Sequence, residues 1–473
     1  MLTFKELGLK PEILQSLEEM GFERPTPIQE KVIPQLIESN NDLIALAQTG
    51  TGKTAAFSLP VLQKIDQDNN QVQCIILSPT RELCLQISKD IKAFTANMPF
   101  LSTLAVYGGA DISKQITGLK KGAHIVVGTP GRTMDLINRG KLNLNTVRFL
   151  ILDEADEMLS MGFRDDLDAI LAQTPAEKQT MLFSATMPTA IRSLSKKYMH
   201  KTIEISAGKE NSGAESVEHF YYMVNDRDRY STLKRIADIN PSIYAIVFCR
   251  TRRETQEIAD KLMGDGYNAD SLHGDLSQPQ RDLIMQRFRN KRLQILVATD
   301  VAARGLDVTE LTHVINYNLP DESEVYIHRS GRTGRAGKKG ISLAIISKRD
   351  VYKLKQVEGK LKRKFKHLQV PTGKEVCERQ LYNIANKLKD MQVNESQIQP
   401  YMQNVYELLG EMSKEDIIKK LVSYEFNKFL DYYKNAGDLN VNDDNRKERK
   451  RPRVQDKFRK GGGRKSFSRQ RRG

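Results

Sequence analysis

The run Ala47-Gln-Thr-Gly-Thr-Gly-Lys-Thr54 sets two glycines, a lysine and a hydroxyl in the order that closes a chain around phosphate. Gly50 and Gly52 let backbone N–H groups turn onto phosphate oxygens, and a helix starting at Lys53 adds its positive end. Lys53 then reaches the β- and γ-phosphates, and Thr54 a magnesium ion. Gln48, Thr49 and Thr51 complete the nucleotide-binding loop. The general pattern begins with Gly, where this chain has Ala47. Further on, the apolar run Phe149–Leu152 ends on Asp153-Glu154-Ala155-Asp156. Carboxylates at a strand end suit magnesium-dependent phosphoryl transfer. Asp153 would hold the metal through water, and Glu154 would orient or deprotonate the attacking water. A third run, His328-Arg-Ser-Gly-Arg-Thr-Gly-Arg335, offers Arg332 and Arg335 to the γ-phosphate. A cation placed there is worth roughly 10³–10⁵ in rate. If these arginines come from another domain, hydrolysis requires closure.

These groups need elements to hold them. Short apolar runs alternate with amphipathic stretches in the first half of the chain: Leu43–Ala47, Cys74–Ser78, Ile125–Gly128, Phe149–Leu152 and Met181–Phe183. Runs of this kind, bounded by Gly, Pro and Asp, predict strands buried on both faces and joined by crossover helices. The pattern stops at a small, polar stretch, a linker over 207–216, and resumes with Ile243–Phe248, Gln294–Ala298, His313–Tyr317 and Ile341–Ile346. The halves echo each other: Thr80-Arg81 and Thr251-Arg252 each follow a strand, as do Thr129 and Thr299. The expected fold class is α/β, with two tandem doubly wound parallel sheets over 31–206 and 217–370. Their ligands belong beyond the carboxyl ends of the strands.

From 371 to 436 the period changes. Cys377, Leu381, Ile384, Leu388 and Met391 follow helical spacing, as do Ile398, Met402, Val405, Leu409 and Met412. Ser413, with Asp416 as its capping partner, starts a third helix striped by Ile418, Val422, Phe426, Phe429 and Tyr433. This small all-α segment suits dimerisation or a cap folded on the second domain. The chain carries a formal charge of +15. From Arg446 to the end, 14 Lys or Arg stand against two acids, which leaves only +3 on the preceding residues. The body is therefore not uniformly basic. The tail over 437–473 reads as disordered and RNA-binding, holding RNA by sequence-independent charge. The four cysteines, Cys74, Cys84, Cys249 and Cys377, lack metal or redox spacing. Buried free thiols and a reducing, cytoplasmic setting follow, and no membrane-spanning run or signal segment is visible.

At this point the sequence resembles a known family. Asp153-Glu-Ala-Asp156 is the signature of the DEAD-box ATP-dependent RNA helicases, and about a dozen motifs of that family occur in order over residues 2–370. Gly21-Phe-Glu-Arg-Pro-Thr-Pro-Ile-Gln29, over the 1–30 region, resembles the Q motif. The resemblance implies that Gln29 reads the adenine edge and Phe4 stacks on its ring, with ATP and Mg2+ as ligands. Pro79-Thr-Arg-Glu-Leu83, Gly108-Gly109 and Thr129-Pro-Gly-Arg132 resemble RNA-contact motifs. That assigns Pro79, Thr80, Arg81, Gly109, Thr129, Pro130, Gly131 and Arg132 to RNA. Ile246-Val-Phe-Cys-Arg-Thr251, His273-Gly274, and Gln278 with Arg281 resemble second-domain motifs. Arg250, Thr251, Gly274 and Thr299 then face RNA too. In Ala298–Asp307, Gly305 and Asp307 face the nucleotide. Ser184-Ala-Thr186 matches the motif coupling hydrolysis to strand separation, and Asp156 and His328 are assigned to the same coupling role. Cys84 and Ser330 depart slightly from the family pattern.

The implied activity is RNA-stimulated ATP hydrolysis that opens short duplexes locally and remodels RNA–protein complexes. An ATP-gated clamp uses the same residues. The segment 371–436 resembles the dimerisation segment of some bacterial members, which implies a homodimer. Ribosome assembly, RNA decay and cold adaptation all suit such a protein.

Overall fold

The computed structural model describes residues 2–48, 50–206, 216–306, 308, 310–334, 338–434 and 436–441. The expectations for Thr49, Asp307 and Arg335, for most of the linker and for the basic tail beyond 441 lie outside the described residues.

The first sheet comprises β1 (Leu43–Leu46), β2 (Cys74–Leu77), β3 (Thr103–Val106), β4 (Ile125–Gly128), β5 (Phe149–Leu152), β6 (Gln179–Ser184) and β7 (Ile203–Ser206). The second comprises β8 (Val217–Met223), β9 (Ala245–Phe248), β10 (Ala269–Leu272), β11 (Ile295–Ala298), β12 (His313–Asn316), β13 (Gly340–Ile346) and β14 (Lys366–Leu368). Each is seven-stranded and their orders match: β3-β4-β2-β5-β6-β1-β7 and β10-β11-β9-β12-β13-β8-β14. Neighbouring strands are parallel, as when β2 pairs in register with β4 and β5. The two tandem doubly wound sheets expected from the alternation are present.

Every residue of β1, β2, β4, β5 and β6 is buried because helices cover both faces. Side chains alternate between two cores. Cys74 and Ile76 join Phe57 and Phe183 on one face. Ile75 and Leu77 join Leu150 and Leu182 on the other. Burial on both sides holds each strand's register, and so fixes where its carboxyl-end loop emerges.

The all-α segment contains helices Gly373–Asp390, Glu395–Leu409 and Lys414–Tyr433. Ser413 caps the third, accepting from the Asp416 N–H at 3.1 Å. The expected stripes do not close a three-helix core. The outer two helices pack on each other, and Gly373–Asp390 also packs on helix Arg229–Ile239 of the second domain. The buried Asp238 anchors them: its carboxylate accepts the Tyr433 and Tyr267 hydroxyls, and its carbonyl accepts the Gln380 amide. With that apolar surface used against the second domain, the middle helix buries no residue. Among the described residues no helix is long and apolar enough to cross a membrane. Cys74, Cys84 and Cys249 are buried free thiols, and Cys377 is half-buried.

Candidate active site between the two domains

At the carboxyl end of β1 the chain turns through Gly50 and Gly52, with φ of 83° and 87°. A left-handed backbone of this kind favours glycine. Gly52 is the N-cap of helix Lys53–Lys64, and a Cβ there would collide with the Gln29 amide. Gln29 is only 2% exposed. Its oxygen accepts the Thr26 N–H at 2.9 Å and its nitrogen donates to the Gly52 carbonyl at 3.0 Å. The Thr26 hydroxyl donates to the Thr51 carbonyl at 2.8 Å, and that of Thr51 to the Gln48 carbonyl at 2.8 Å. The Q motif thus clamps the phosphate-binding loop from behind.

Lys53 is 6% exposed, and its ammonium has no hydrogen-bond partner. Among the described residues the nearest carboxylate oxygen, Asp153 Oδ1, is 4.0 Å away. A buried ammonium without acceptors is costly unless an anion arrives, so the loop fits a phosphate chain. At the end of β5, Glu154 takes a left-handed φ of 49°. Such strain in a non-glycine residue at a strand end marks a functional turn. Its Oε2 is buried without a partner and faces the same cleft. Burial pushes the Asp153 carboxyl up to about 6, against the pull of Lys53.

The cleft has a volume of about 240 Å³ and is walled by both domains. Gln29, Gly50, Gly52, Lys53, Thr54, Asp153 and Glu154 line it from the first; Gly305, Leu306 and Arg332 line it from the second. Arg332 is 4% exposed and donates to the Leu306 carbonyl at 3.1 Å. Phe22, 37% exposed, forms part of the wall; Phe4 lies behind it in the core, ring centroids 6.2 Å apart.

Contacts across the domain boundary surround the cleft. His328 Nε2 lies 3.4 Å from Asp156 Oδ2, and its Nδ1 contacts Glu157. Burial disfavours charge on His328, but these two carboxylates raise its pKa to about 10. Burial also acts against the Asp156 charge, yet His328 and Thr186 hold its pKa below the usual carboxylate range. Thr186 donates to Asp156 Oδ2 through its N–H at 2.9 Å and its hydroxyl at 2.6 Å, while the Ser184 hydroxyl donates to the Thr186 carbonyl at 2.7 Å. The Ser184–Thr186 turn and the second domain therefore meet at one carboxylate. Arg304 pairs with Glu157 and donates to the Ser160 hydroxyl at 2.8 Å. Gly305, φ 68°, is so close to Thr80 that a Cβ would strike its hydroxyl. Sequence reasoning missed Arg304, Glu157, Thr26 and Phe22. Phe22 and Thr26 lie inside the Gly21–Gln29 run and Arg304 inside the Ala298–Asp307 run, and the Thr26-x-x-Gln29 capping spacing was a further signal.

The residues assigned to RNA emerge beside the cleft, at the carboxyl ends of β2, β3, β4, β9, β10 and β11. Thr80, Thr129, Thr251 and Thr299 are N-caps of the helices that follow. Pro79 precedes the first cap, and Pro130 and Gly131 open the second helix. Arg132 is turned inward, donating to the Ala110 carbonyl at 3.2 Å and to Gln115 Oε1 at 3.1 Å, which shapes the Gly108–Gly109 loop. Arg81 reaches Asp282 of the second domain at 3.1 Å. Arg250 lies 3.7 Å from Asp321, and Gly274 lies beside the Arg252 guanidinium.

Comparison with known proteins agrees with this architecture. Residues 26–194 match the DEAD/DEAH box helicase family, 228–337 the helicase conserved C-terminal domain, and 376–434 the helical domain of a probable ATP-dependent RNA helicase. The ATP-dependent RNA helicase CshA of Listeria monocytogenes is 46% identical over 88% of this chain and 80% of its own length. The DEAD-box ATP-dependent RNA helicase CshA of Geobacillus kaustophilus is 43% identical over 88% of this chain and 89% of its own. Among solved structures, S. cerevisiae Dbp5 bound to RNA and ADP BeF3 aligns with a TM-score of 0.73 at 30% identity, covering 80% of this chain and 99% of that one. Mss116p bound to ssRNA and AMP-PNP gives 0.71 at 27% identity, covering 91% of each. The chain belongs to the DEAD-box family of ATP-dependent RNA helicases.

Proposed function

We propose that this helicase hydrolyses ATP only when its domains close, and uses that closure to open short RNA duplexes locally. One observation carries the reading: the unpartnered Lys53 ammonium and Glu154 carboxylate of one domain share a cleft with Arg332 of the other. Lys53 and the loop N–H groups hold the phosphates, with Gln29 keeping the loop in shape. Thr54 and Asp153 offer hard oxygens that suit Mg2+. When bound, that ion neutralises charge on the β- and γ-phosphates. Glu154 orients the attacking water, and Arg332 stabilises charge building on the γ-phosphate. Arg335 and Asp307 are assigned to the same nucleotide by family pattern.

The Thr80, Thr129, Thr251 and Thr299 turns present N–H groups and hydroxyls at helix starts. With Arg81, Gly109, Arg250 and Gly274 they hold RNA phosphates without reading bases. Closure then bends one strand, and the Asp156–Thr186–His328 contacts tie that bend to the nucleotide. We further propose a homodimer through 371–436, because the middle helix leaves Ile398, Tyr401, Val405, Tyr406 and Leu408 exposed. The basic tail keeps RNA near the core. The buried free thiols suit the cytoplasm. Structured RNAs of ribosome assembly or decay are the proposed substrates.

The test is steady-state ATP hydrolysis with no nucleic acid, with RNA and with matched DNA, for wild type and Glu154→Gln. RNA-selective stimulation that the substitution abolishes is the expected result. Equal stimulation by DNA would contradict the RNA reading.

A further inference from the structure

The stretch from Lys348 to Lys366 carries nine Lys or Arg against two acids, a net +7. Residues 1–445 sum to only +3, so the rest of them nets −4. The fold turns this run into one surface of the second domain. It forms the short turn of helix Lys348–Asp350, the helix Val351–Leu361 and the edge strand β14. Leu354, Val357 and Leu361 face the core. Lys348, Tyr352, Lys355 and Lys362 are exposed, at spacings that set them in a row along the opposite face. Other cations of the run are paired. Lys360 holds Glu324 at 2.7 Å, Lys364 holds Glu358 at 3.2 Å, and Lys366 lies 3.8 Å from Glu218. Lys348, Lys355 and Lys362 have no acid partner among the described residues. Tyr352, between them, is 71% exposed. An open aromatic ring among unpaired lysines suits a base stacked beside its phosphates.

This row is continuous with the RNA face. Lys348 follows β13 at its carboxyl end, the end of the sheet from which the Thr251 and Thr299 turns emerge. Asp321 joins the two surfaces: Arg250 lies 3.7 Å from its Oδ1, and Lys353 pairs with the same oxygen. From there the helix Val351–Leu361 runs back along the sheet for about 16 Å. The chain's own basic end has the same sign as the row, so the complement is a separate polyanion.

We propose that the helix Val351–Leu361 carries a second RNA contact. A single strand leaving the motif face at Arg250 continues along Lys348, Tyr352, Lys355 and Lys362, held by phosphate charge and a stacked base. The contact lies outside every run assigned to RNA above and reads no sequence. Its course rests on the reading that Arg250 faces RNA.

The test compares a short and a long oligouridylate on the full chain with a non-hydrolysable ATP analogue, by fluorescence anisotropy across a salt series. The short strand only fills the interdomain face. In wild type the long strand should bind more tightly, with a steeper salt dependence. The triple variant Lys348→Gln, Lys355→Gln, Lys362→Gln should cut the long strand's advantage by about fivefold. It should also flatten the log–log salt slope by about 2, three phosphate contacts at about 0.7 each. Tyr352→Ala should cut the advantage by a similar factor at an unchanged slope, because stacking carries no charge. An unchanged advantage and slope in the triple variant would overturn the proposal. So would loss of polyglutamate binding with long-strand binding intact, which would make the row a docking face for an acidic protein. Unchanged short-strand binding in Arg250→Ala would instead remove the reading of Arg250, and with it the course drawn for the strand.

Discussion

After β1 the chain turns through two glycines and puts Lys53 into the interdomain cleft with no hydrogen-bond partner. After β8, the strand in the same place of the second sheet, it turns through Asn225 and puts Arg229 among a full set. The Arg229 guanidinium donates to Asp226 at 3.1 Å, to Asp350 at 2.5 Å, and to the Tyr317 and Ile345 carbonyls at 2.7 and 2.6 Å. Strand order is the same in both sheets, so the fold does not separate the two positions. What separates them is whether the buried cation is satisfied. The second domain uses its cation to hold β12 and β13 to the helix Arg229–Ile239. The first leaves its cation for a substrate. The second domain's part in catalysis comes instead from Arg332, Arg304 and His328.

The largest expected effects fall on the chemistry of the first site. Glu154→Gln should lower RNA-stimulated kcat by about 10²–10⁴, measured by phosphate release. Arg332→Ala should lower it by about 10³, with nucleotide affinity changed far less, as read by fluorescent-ADP titration. Next comes stability. Arg229→Ala removes the buried charge between Asp226 and Asp350 and should destabilise the second domain by about 3 kcal/mol in urea unfolding. Lys53→Met should differ. It abolishes hydrolysis, yet should change nucleotide-free stability far less, because the ammonium it removes makes no hydrogen bond and its one ion-pair contact among the described residues, to Asp153, is at 4.0 Å. Equal destabilisation by both substitutions would erase the contrast between the domains.

The smallest effect is on pH dependence. In the closed state His328 is raised from 6.5 to about 10. Its contribution to closure is therefore fully present below pH 6.5 and lost as pH rises through 10. RNA affinity with a non-hydrolysable analogue should weaken over that window, by about tenfold or less. His328→Gln should flatten this dependence.

Much of this was legible in the chain. The interior strands β1, β2, β4 and β5 are continuous apolar runs because both of their faces are covered. The edge strands β3, β7, β10 and β14 were not visible: β3 is half-exposed at Leu104 and Ala105, and β14 is exposed at Lys366 and His367. The second-from-edge β8 escaped too, because Val217, His219 and Tyr222 are buried among less buried neighbours. Lys53, Asp153, Glu154 and Arg332 could be read because each belongs to a compact run with its own chemistry. Arg304–Glu157 and Arg81–Asp282 could not, since neither partner announces the other across the chain. Nor could the ordering of Phe4 behind Phe22, which depends on how the first helices pack.

The most direct test of obligatory closure uses Gly305→Val, whose side chain would strike Thr80 while leaving the phosphate-binding loop intact. Interdomain fluorescence transfer, with dyes on exposed positions of each domain, would be read with RNA and a non-hydrolysable ATP analogue, and ATP hydrolysis measured alongside. The account predicts a closed population in wild type, none in the variant, and loss of RNA-stimulated hydrolysis with it. Wild-type hydrolysis from a variant that stays open would contradict the account.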